Sequence, residues 1–250
     1  NRYIGCAPDT FQFYTVGNTH SGQTWNNGAG ASSSLDSPIF LYNAPGTYKV
    51  TIGTLERDIT IYPKLNYSFT TDSLKTGCFP FRFNLRDVSA YPAGISATAI
   101  NWVYQNGGSN IGSPILDSID NYYLQYCFVK MVVNTNIPSC NGERRVDSFF
   151  EILDVPKAKI DIFPDSACRV PFTLSLKNKS KDSLRTNLSY LWTWDFPMPG
   201  SSTNLTPPNL TFNTNTNATI NLEVKNKLGC VAYDTAYFKI DTPTVSMDAS

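Results

Sequence analysis

Six cysteines are the residues whose type and spacing could do chemistry in this chain. Cys78 and Cys140 are 62 positions apart, and Cys168 and Cys230 repeat that separation. No Cys-x-x-Cys pair occurs and only one histidine is present, which is typical of disulfides in an oxidising compartment and not of a zinc site. The spacing predicts the bonds Cys78–Cys140 and Cys168–Cys230. The alternative is four reduced, partly buried thiols.

Two further cysteines have no partner in this scheme. Cys6 begins Cys6-Ala-Pro-Asp-Thr-Phe and stands where Cys78 and Cys168 stand later, but its block has no second cysteine. We therefore expect that Cys6 has lost its partner. Cys127 lies in an apolar strand, so we expect a reduced thiol in a core.

Catalysis has no candidate residues. His20 is the one imidazole and lies in the loop Asn18-Thr-His-Ser-Gly, where a solvated side chain is expected and not a Ser-His-Asp triad. The carboxylates show no pairing pattern. The sequence therefore predicts a protein that is not an enzyme.

No cofactor is predicted, apart from a weak case for structural calcium. Asp and Asn oxygens suit this ion. The candidate ligands, in loop-like segments, are Asp117, Asp120, Asn121 and Asp182. No EF-hand or Asp-x-Asp-x-Asp pattern occurs, and solvated turn residues are the alternative.

The composition excludes several classes of protein. Twenty acidic and twenty basic residues cancel, so no basic surface for nucleic acid is indicated. The chain has no apolar span that predicts a membrane helix. Alternating or β-branched runs such as Tyr48-Lys-Val-Thr-Ile, Phe128-Val-Lys-Met-Val-Val and Ile220-Asn-Leu-Glu-Val predict strands throughout.

The strands recur in blocks of about 90 residues. Each block opens at a proline: Pro63, Pro156 and Pro243. Short strands in blocks of this size predict an all-β chain of tandem Ig-like antiparallel sandwiches arranged as beads on a string.

The blocks set the predicted domain bounds. We expect sandwiches at 1–63, which lacks its opening part, at 64–156 and at 157–242. The remaining residues, 243–250, are predicted to begin a further repeat.

Aromatic residues at a period of two mark the predicted cores. Trp192 and Trp194 share one strand, and Trp102 lies in the corresponding strand of the second block. Tyr48 is the core candidate of the first block. Trp25 occupies the core-tryptophan position of that block, but polar turn residues surround it, so contact with a carbohydrate ligand is the alternative.

Several motifs carry a family resemblance. Pro45-Gly-Thr-Tyr-Lys-Val-Thr-Ile resembles the "pGtYtVtLtv" strand of PKD (polycystic kidney disease) domains, and Trp194-Asp-Phe resembles the start of their Trp-Asp-Phe-Gly-Asp-Gly signature. The early Cys-x-x-Pro-Phe and late Leu228-Gly-Cys are similar to PKD repeats of very large Bacteroidetes surface proteins, such as flavobacterial gliding adhesins. Pro197-Met-Pro-Gly replaces the Gly-Asp-Gly turn.

The resemblance implies a spacer in an extracellular, cell-surface adhesin filament, exported by type IX secretion, for attachment or gliding motility. Its partners would be neighbouring repeats of the same polypeptide, other surface proteins or a polysaccharide substratum. The alternative is a carbohydrate- or protein-binding accessory module. Five Asp-Ser/Thr-aliphatic triplets match the O-glycosylation pattern of Bacteroidetes, and their acceptors are Ser73, Ser118, Ser166, Ser183 and Thr235.

Overall fold

The computed structural model describes residues 2–17, 22–104, 108–119, 126–182 and 187–240. These residues form three successive antiparallel β-sandwiches, so the predicted all-β, tandem Ig-like fold is confirmed. The predicted start of a further repeat at 243–250 lies outside the described residues. The domain bounds 1–63, 64–156 and 157–242 stay a prediction.

The described residues of the first sandwich form seven strands. They are β1 (Ile4–Cys6), β2 (Asp9–Gln12), β3 (Trp25–Asn26), β4 (Ser32–Ser33), β5 (Ile39–Tyr42), β6 (Gly46–Ile52) and β7 (Leu55–Tyr62). One sheet has the order β1-β7-β6-β3-β4, and the other pairs β2 with β5. Buried and exposed side chains alternate along β2 and β5, because successive residues of a strand face opposite sides of the sheet.

In the second sandwich, the part of the chain that the structure describes forms eight strands. They are β8 (Phe69–Thr70), β9 (Thr76–Cys78), β10 (Phe81–Asp87), β11 (Ala97–Tyr104), β12 (Gly108–Ile111), β13 (Ile115–Ile119), β14 (Tyr126–Thr135) and β15 (Gly142–Leu153). The sheets have the orders β13-β10-β8 and β12-β11-β14-β15-β9. A 3-10 turn, Pro138–Cys140, joins β14 to β15.

The third sandwich repeats the second. Its strands are β16 (Ile160–Phe163), β17 (Ser166–Ala167), β18 (Phe172–Asn178), β19 (Ser189–Trp194), β20 (Gly200–Ser202), β21 (Leu210–Phe212), β22 (Ala218–Lys225) and β23 (Val231–Ile240). The sheets have the orders β16-β18-β21 and β17-β23-β22-β19-β20.

All three five-stranded sheets therefore share one order, with a short parallel strand at one edge. This edge strand is β1, β9 or β17, and it pairs with the end of the last strand of its own sandwich. The arrangement matters because it fixes where the first cysteine of each sandwich lies.

Tryptophans centre two of the cores. Trp102 and Trp192 are fully buried, and each indole N–H donates to a backbone carbonyl, of Gly112 (2.7 Å) and Asn204 (3.1 Å) respectively. A buried ring of this size needs such an acceptor for its polar end. Trp194 is half-buried against the third core, over Gly200, where a side chain would collide with the indole.

Tyr48 is half-buried at the margin of the first core. Its ring centroid is 4.8 Å from that of Tyr42, and its hydroxyl donates to the carbonyl of Ala44 (2.8 Å). Tyr48 is therefore fixed at both ends of its side chain, by ring packing and by a hydrogen bond.

By their contacts the residues divide into two compact units. One comprises 1–73, 82–117 and 128–149, which are the first sandwich and much of the second. The other comprises 74–81, 118–127 and the chain from 150 onward, which are the rest of the second sandwich and the third. Each unit contains one disulfide-linked junction between consecutive sandwiches.

Candidate functional site: two disulfide-linked junctions

The disulfides differ from those that the spacing predicted. Cys6 is bonded to Cys140, and Cys78 is bonded to Cys230. Cys168, predicted to pair with Cys230, is an exposed free thiol, and Cys6, expected to be unpaired, is bonded. Each bond therefore joins one sandwich to the next instead of closing a single sandwich.

Sheet register explains why the predicted pairs cannot form. Cys78 ends β9 opposite Leu153, the last residue of β15, whereas Cys140 precedes the first residue of β15. Strand β15 is 12 residues long, so the two cysteines lie roughly 35 Å apart at about 3.3 Å per residue. A disulfide needs Cα atoms within about 7 Å. Strand β23, 10 residues long, separates Cys168 from Cys230 in the same way.

The partners come together because each sandwich places its cysteines at opposite ends of its last strand. The early cysteine lies where that strand ends and the chain leaves for the next sandwich. The late cysteine lies in the turn before the last strand of that next sandwich, between β14 and β15 or between β22 and β23. We call this segment the turn before the last strand.

A partly buried ion pair supports the first junction. The guanidinium of Arg2 donates to both carboxylate oxygens of Asp9 (2.6 and 2.9 Å). The Ser139 hydroxyl, from the turn of the second sandwich, donates to Asp9 (2.6 Å) and accepts from the backbone N–H of Cys6 (3.1 Å). Asp9 is 8% exposed, so this carboxylate needs both partners to offset its desolvation.

An apolar cluster surrounds the same disulfide. Its buried members are Cys6, Cys140, Ile95 and Ile137. Partly buried side chains that pack on it are Ile4, Tyr62, Leu65 and Tyr91. The first disulfide is thus shielded from solvent by side chains of both sandwiches.

Two tyrosines bound this region. The Tyr67 hydroxyl donates to the carbonyl of Cys140, and burial raises the pKa of Tyr67. Burial, followed by the hydrogen bond to Asp87 (2.6 Å), raises the pKa of Tyr91 as well. Both phenols therefore stay neutral donors at physiological pH.

A single asparagine organises the second junction. The side-chain oxygen of Asn226 accepts from the N–H groups of Leu228 (3.1 Å) and Cys230 (3.0 Å), which closes the turn. Its amide NH₂ donates to the carbonyl of Asp154 (2.9 Å), just beyond β15. Asn226 is 4% exposed, so it positions Cys230 and joins the two sandwiches from one buried side chain.

The outer side of the second junction is polar. The Lys227 ammonium pairs with Glu151 at the surface, and the hydrogen bond to Glu151 is the main reason that the pKa of Lys227 is raised. Cys78 is half-buried, whereas Cys230 is buried with its sulfur 3.8 Å from the carbonyl of Leu153. This disulfide is less shielded than the first.

The two cysteines outside the disulfides differ in environment. Cys127 is buried in β14, and burial raises the pKa of its thiol to about 11. Cys168 follows β17 at the surface. Disulfide exchange needs a thiol that ionises and that a partner can reach. Of these two cysteines, Cys168 is the one that a partner can reach.

Trp25, the predicted ligand contact, is 6% exposed and belongs to the first core, with its ring centroid 6.0 Å from that of Phe13. It lines the inner wall of a groove of about 320 Å³. Tyr14 and Val16 lie at the rim, 57% and 92% exposed. The tryptophan is thus mainly a core residue, and its contact with a ligand stays a prediction.

The predicted glycosylation acceptors have different exposures. Ser166 and Thr235 are exposed, whereas Ser73 and Ser118 are half-buried. The acceptor Ser183 lies outside the described residues, as does His20, the single histidine of the chain. Modification at these positions stays a prediction.

The calcium candidates do not form a cluster among the described residues. The described chain contains no group of three or more His, Cys, Asp or Glu side chains placed to hold a metal ion. Asp117 accepts from the Tyr104 hydroxyl and from Asn110, and Asp182 is half-buried. Asp120 and Asn121 lie outside the described residues.

The sequence reasoning missed one exposed aromatic surface. Tyr233 and Tyr237 lie on β23 with 71% and 75% of their surface exposed. They are four residues apart, so they share one face of the sheet about 13 Å apart. Between them Thr235 donates to Asn221 of β22 (2.8 Å). The Tyr-x-x-x-Tyr spacing in the last strand was the available signal.

No protein family matches this chain, and neither does any curated protein. The three N-terminal domains of the bacteriophage RB49 highly immunogenic outer capsid protein are 10% identical, with 98% of this chain and 97% of that chain covered and a TM-score of 0.42. The mouse nectin-like molecule 4 ectodomain is 14% identical, with 98% of each chain covered and a TM-score of 0.40.

Drosophila OTK extracellular domains 3–5 are 8% identical, with 97% of this chain and 94% of that chain covered and a TM-score of 0.36. All of these values are low, so the fold assignment rests on the strand order of the chain itself. Among the described residues, no helix has the length and apolarity that crossing a membrane requires.

Proposed function

We propose that this chain is a spacer segment of a secreted cell-surface adhesin filament. The observation that carries the proposal is that both disulfides connect consecutive sandwiches. A bond inside a sandwich protects only that sandwich. A bond between sandwiches limits how far they can separate under tension, which is the property that a spacer needs.

The two bonds also interleave along the chain. Cys78 lies inside the loop closed by Cys6–Cys140, and Cys140 lies inside the loop closed by Cys78–Cys230. The two bonds are therefore connected to each other by three separate chain segments, 6–78, 78–140 and 140–230. The shortest has 62 residues and limits the extension between the bonds to about 210 Å even after unfolding.

The location and family follow from the same features and from the sequence. Disulfides persist in oxidising compartments, which supports an extracellular protein. The PKD-like motifs support a role among the repeats of a large Bacteroidetes surface protein that is exported by type IX secretion and used in attachment or gliding. The immediate partners would be neighbouring repeats of the same polypeptide.

Single-molecule extension tests this proposal. The chain is held near residues 2 and 240 and unfolded with its disulfides intact or reduced. The observed pairing limits the extended length to about 260 Å, against about 810 Å after reduction. The within-sandwich pairs, Cys78–Cys140 and Cys168–Cys230, would give about 390 Å instead. A length near 390 Å, or one that reduction leaves unchanged, would remove the basis of the spacer proposal.

The exposed tyrosines favour a second candidate, a polysaccharide-binding module. Tyr233 and Tyr237 present two rings on a flat sheet face with a hydrogen-bonding pair between them. Exposed positions of the other last strands carry no aromatic ring, and they include Glu56, Arg57 and Asp58 on β7 and Glu143, Arg145 and Asp147 on β15. Aromatic faces of this kind suit sugar rings, and the first two sandwiches lack the equivalent surface among their described residues.

Adsorption to insoluble polysaccharides separates the two candidates. Saturable adsorption that the double change Tyr233→Ala and Tyr237→Ala abolishes would favour binding. Phe163→Ala is the matched control, because Phe163 is 68% exposed on the same sandwich. An absence of adsorption at micromolar concentration favours the spacer.

A further inference from the structure

Cys168 occupies the position that forms a disulfide in the other two sandwiches. Cys6 ends β1 opposite Tyr62, and Cys78 ends β9 opposite Leu153. In the third sandwich Ser166 and Ala167 pair with Lys239 and Ile240, so Cys168 directly follows the last described pair of the same parallel edge.

The hydrogen bonds around the first two cysteines agree with this equivalence. The residue after each cysteine donates its N–H to the last residue of the neighbouring strand, from Ala7 to Tyr62 (2.9 Å) and from Phe79 to Leu153 (3.0 Å). The edge of the sandwich is therefore built in one way at both positions. In both cases the sulfur is bonded to the turn before the last strand of the following sandwich.

We propose that Cys168 is the attachment point for a further sandwich of the same kind, through a disulfide to a cysteine in its turn before the last strand. Two of three equivalent cysteines already make this bond, and the third is exposed and free. The proposal deepens the spacer function. Its test detects a bond and not a mechanical property, so the two can fail separately.

The sequence indicates which sandwich would supply the partner. A proline follows the register position of the cysteine within three residues in each block, as Tyr62-Pro63, Leu153-Asp-Val-Pro156 and Asp241-Thr-Pro243. Each proline opens the next block, so the sandwich after residue 243 is the expected donor of the turn cysteine. A second copy of this chain is the other source, and the experiment distinguishes the two.

The bond forms by oxidation of two thiols. The Cys168 thiolate attacks a mixed disulfide between the turn cysteine and glutathione, and reduced glutathione leaves. Overall, two thiols lose two protons and two electrons, which reduce one oxidised glutathione to two reduced molecules. Cys127 cannot be the partner, because it is fully buried in the second sandwich and ionises only at high pH.

A fusion protein tests the geometry with a second copy of the third sandwich. The full chain up to Thr244 is followed by a second copy of residues 157–240. This keeps the same number of residues from position 241 to the appended copy as from Leu153 to Lys157. Lys239 occupies the register position of Glu151, so the appended copy also carries Lys227→Glu to pair with Lys239.

The fusion is refolded with oxidised and reduced glutathione and mapped by non-reducing peptide mass spectrometry. The expected product has a third disulfide between Cys168 and the Cys230 of the appended copy. When Cys168 of the full chain is changed to Ser, maleimide should instead label the Cys230 of the appended copy. A folded fusion in which maleimide labels Cys168 to the same extent as in the unfused chain would overturn the proposal.

The unfused chain provides the second arm. Maleimide should label Cys168 stoichiometrically in the folded chain and leave Cys127 unlabelled, and labelling of Cys127 alone would contradict the assigned exposure. A covalent dimer of the unfused chain, in which Cys168 bonds to Cys230 of the other copy and releases that copy's Cys78 as a thiol, assigns the partner to a second copy. A symmetric Cys168–Cys168 dimer, formed in preference to the bond within the fusion, would contradict a turn cysteine as the natural partner.

Discussion

The two junctions use the same covalent link in different surroundings. The first disulfide joins two buried cysteines in an apolar cluster, beside the pair that Arg2 forms with the buried Asp9. The second has a half-buried cysteine, one asparagine that crosses the junction, and a surface ion pair. The cysteines of the first disulfide are thus more deeply buried than those of the second.

This difference shows what the disulfide contributes in each place. At the first junction it reinforces an interface that already buries apolar and charged groups. At the second it lies beside a buried hydrogen bond, from Asn226 to Asp154, and a surface ion pair, between Lys227 and Glu151. We therefore expect reducing agents to affect the second junction first, because thiolate attack requires access to a sulfur.

Removing each disulfide should have the largest effect on stability. Loops of 134 and 152 residues correspond to about 5 kcal/mol each in the loop-entropy relation. Urea unfolding of Cys6→Ser with Cys140→Ser, and of Cys78→Ser with Cys230→Ser, measures both losses. Because the loops are similar in length, we expect the two double variants to lose similar amounts of unfolding free energy. We expect them to differ in how far the two sandwiches at each junction lose contact.

Hydrogen exchange makes that second distinction. The backbone N–H at position 6 donates across the first junction, and the side-chain amide of Asn226 donates across the second. We expect the first to stay protected without its disulfide and the second to lose protection. Equal protection after both changes would mean that the surroundings do not matter.

The sequence revealed the fold but not this connectivity. Predicted strands such as Tyr48-Lys-Val-Thr-Ile and Ile220-Asn-Leu-Glu-Val lie within β6 and β22, because alternation and β-branching report local structure directly. The repeated 62-residue spacing reports only that two blocks are alike. Which cysteines meet depends on the length of the last strand and on the position of the next sandwich, and neither is encoded in a spacing.

Asp9→Asn should weaken the first junction by about 2–3 kcal/mol. The change leaves the guanidinium of Arg2 with a neutral partner and alters the hydrogen bond from Ser139, in a site with little access to water. Urea unfolding with the disulfide removed makes the loss visible, and Asp58→Asn is a control on the exposed surface of the same sandwich. A loss below that of the control would contradict the role of this pair.

Asn226→Ala should cost the second junction about 1–3 kcal/mol, since two turn N–H groups and the Asp154 carbonyl lose their partner. Asn226→Asp separates the two roles, because a carboxylate can still accept from the turn but cannot donate to Asp154. If the interface matters, Asp should recover only the part of the stability that the turn contributes. Full recovery would assign the whole effect to the turn.

Lys227 should have the smallest effect, and its dependence on pH gives the test. Lys227 and Glu151 form a surface pair, and the hydrogen bond to Glu151 raises the pKa of Lys227 above its usual value of 10.5. A raised folded-state pKa means that the stabilisation is fully present below the unfolded pKa and is lost as the pH rises through the folded one. The difference in unfolding free energy between the wild type and Lys227→Met should therefore be constant from pH 7 to 9 and shrink above about pH 10.5.

Lys49 and Glu56 form a comparable exposed pair within the first sandwich, and Lys49→Met is the matched control. Because Lys227 reaches across a junction, Lys227→Met should also increase the rate at which dithiothreitol reduces Cys78–Cys230, and Lys49→Met should not. An equal increase in Lys49→Met would mean that the Lys227–Glu151 pair does not shield the second disulfide.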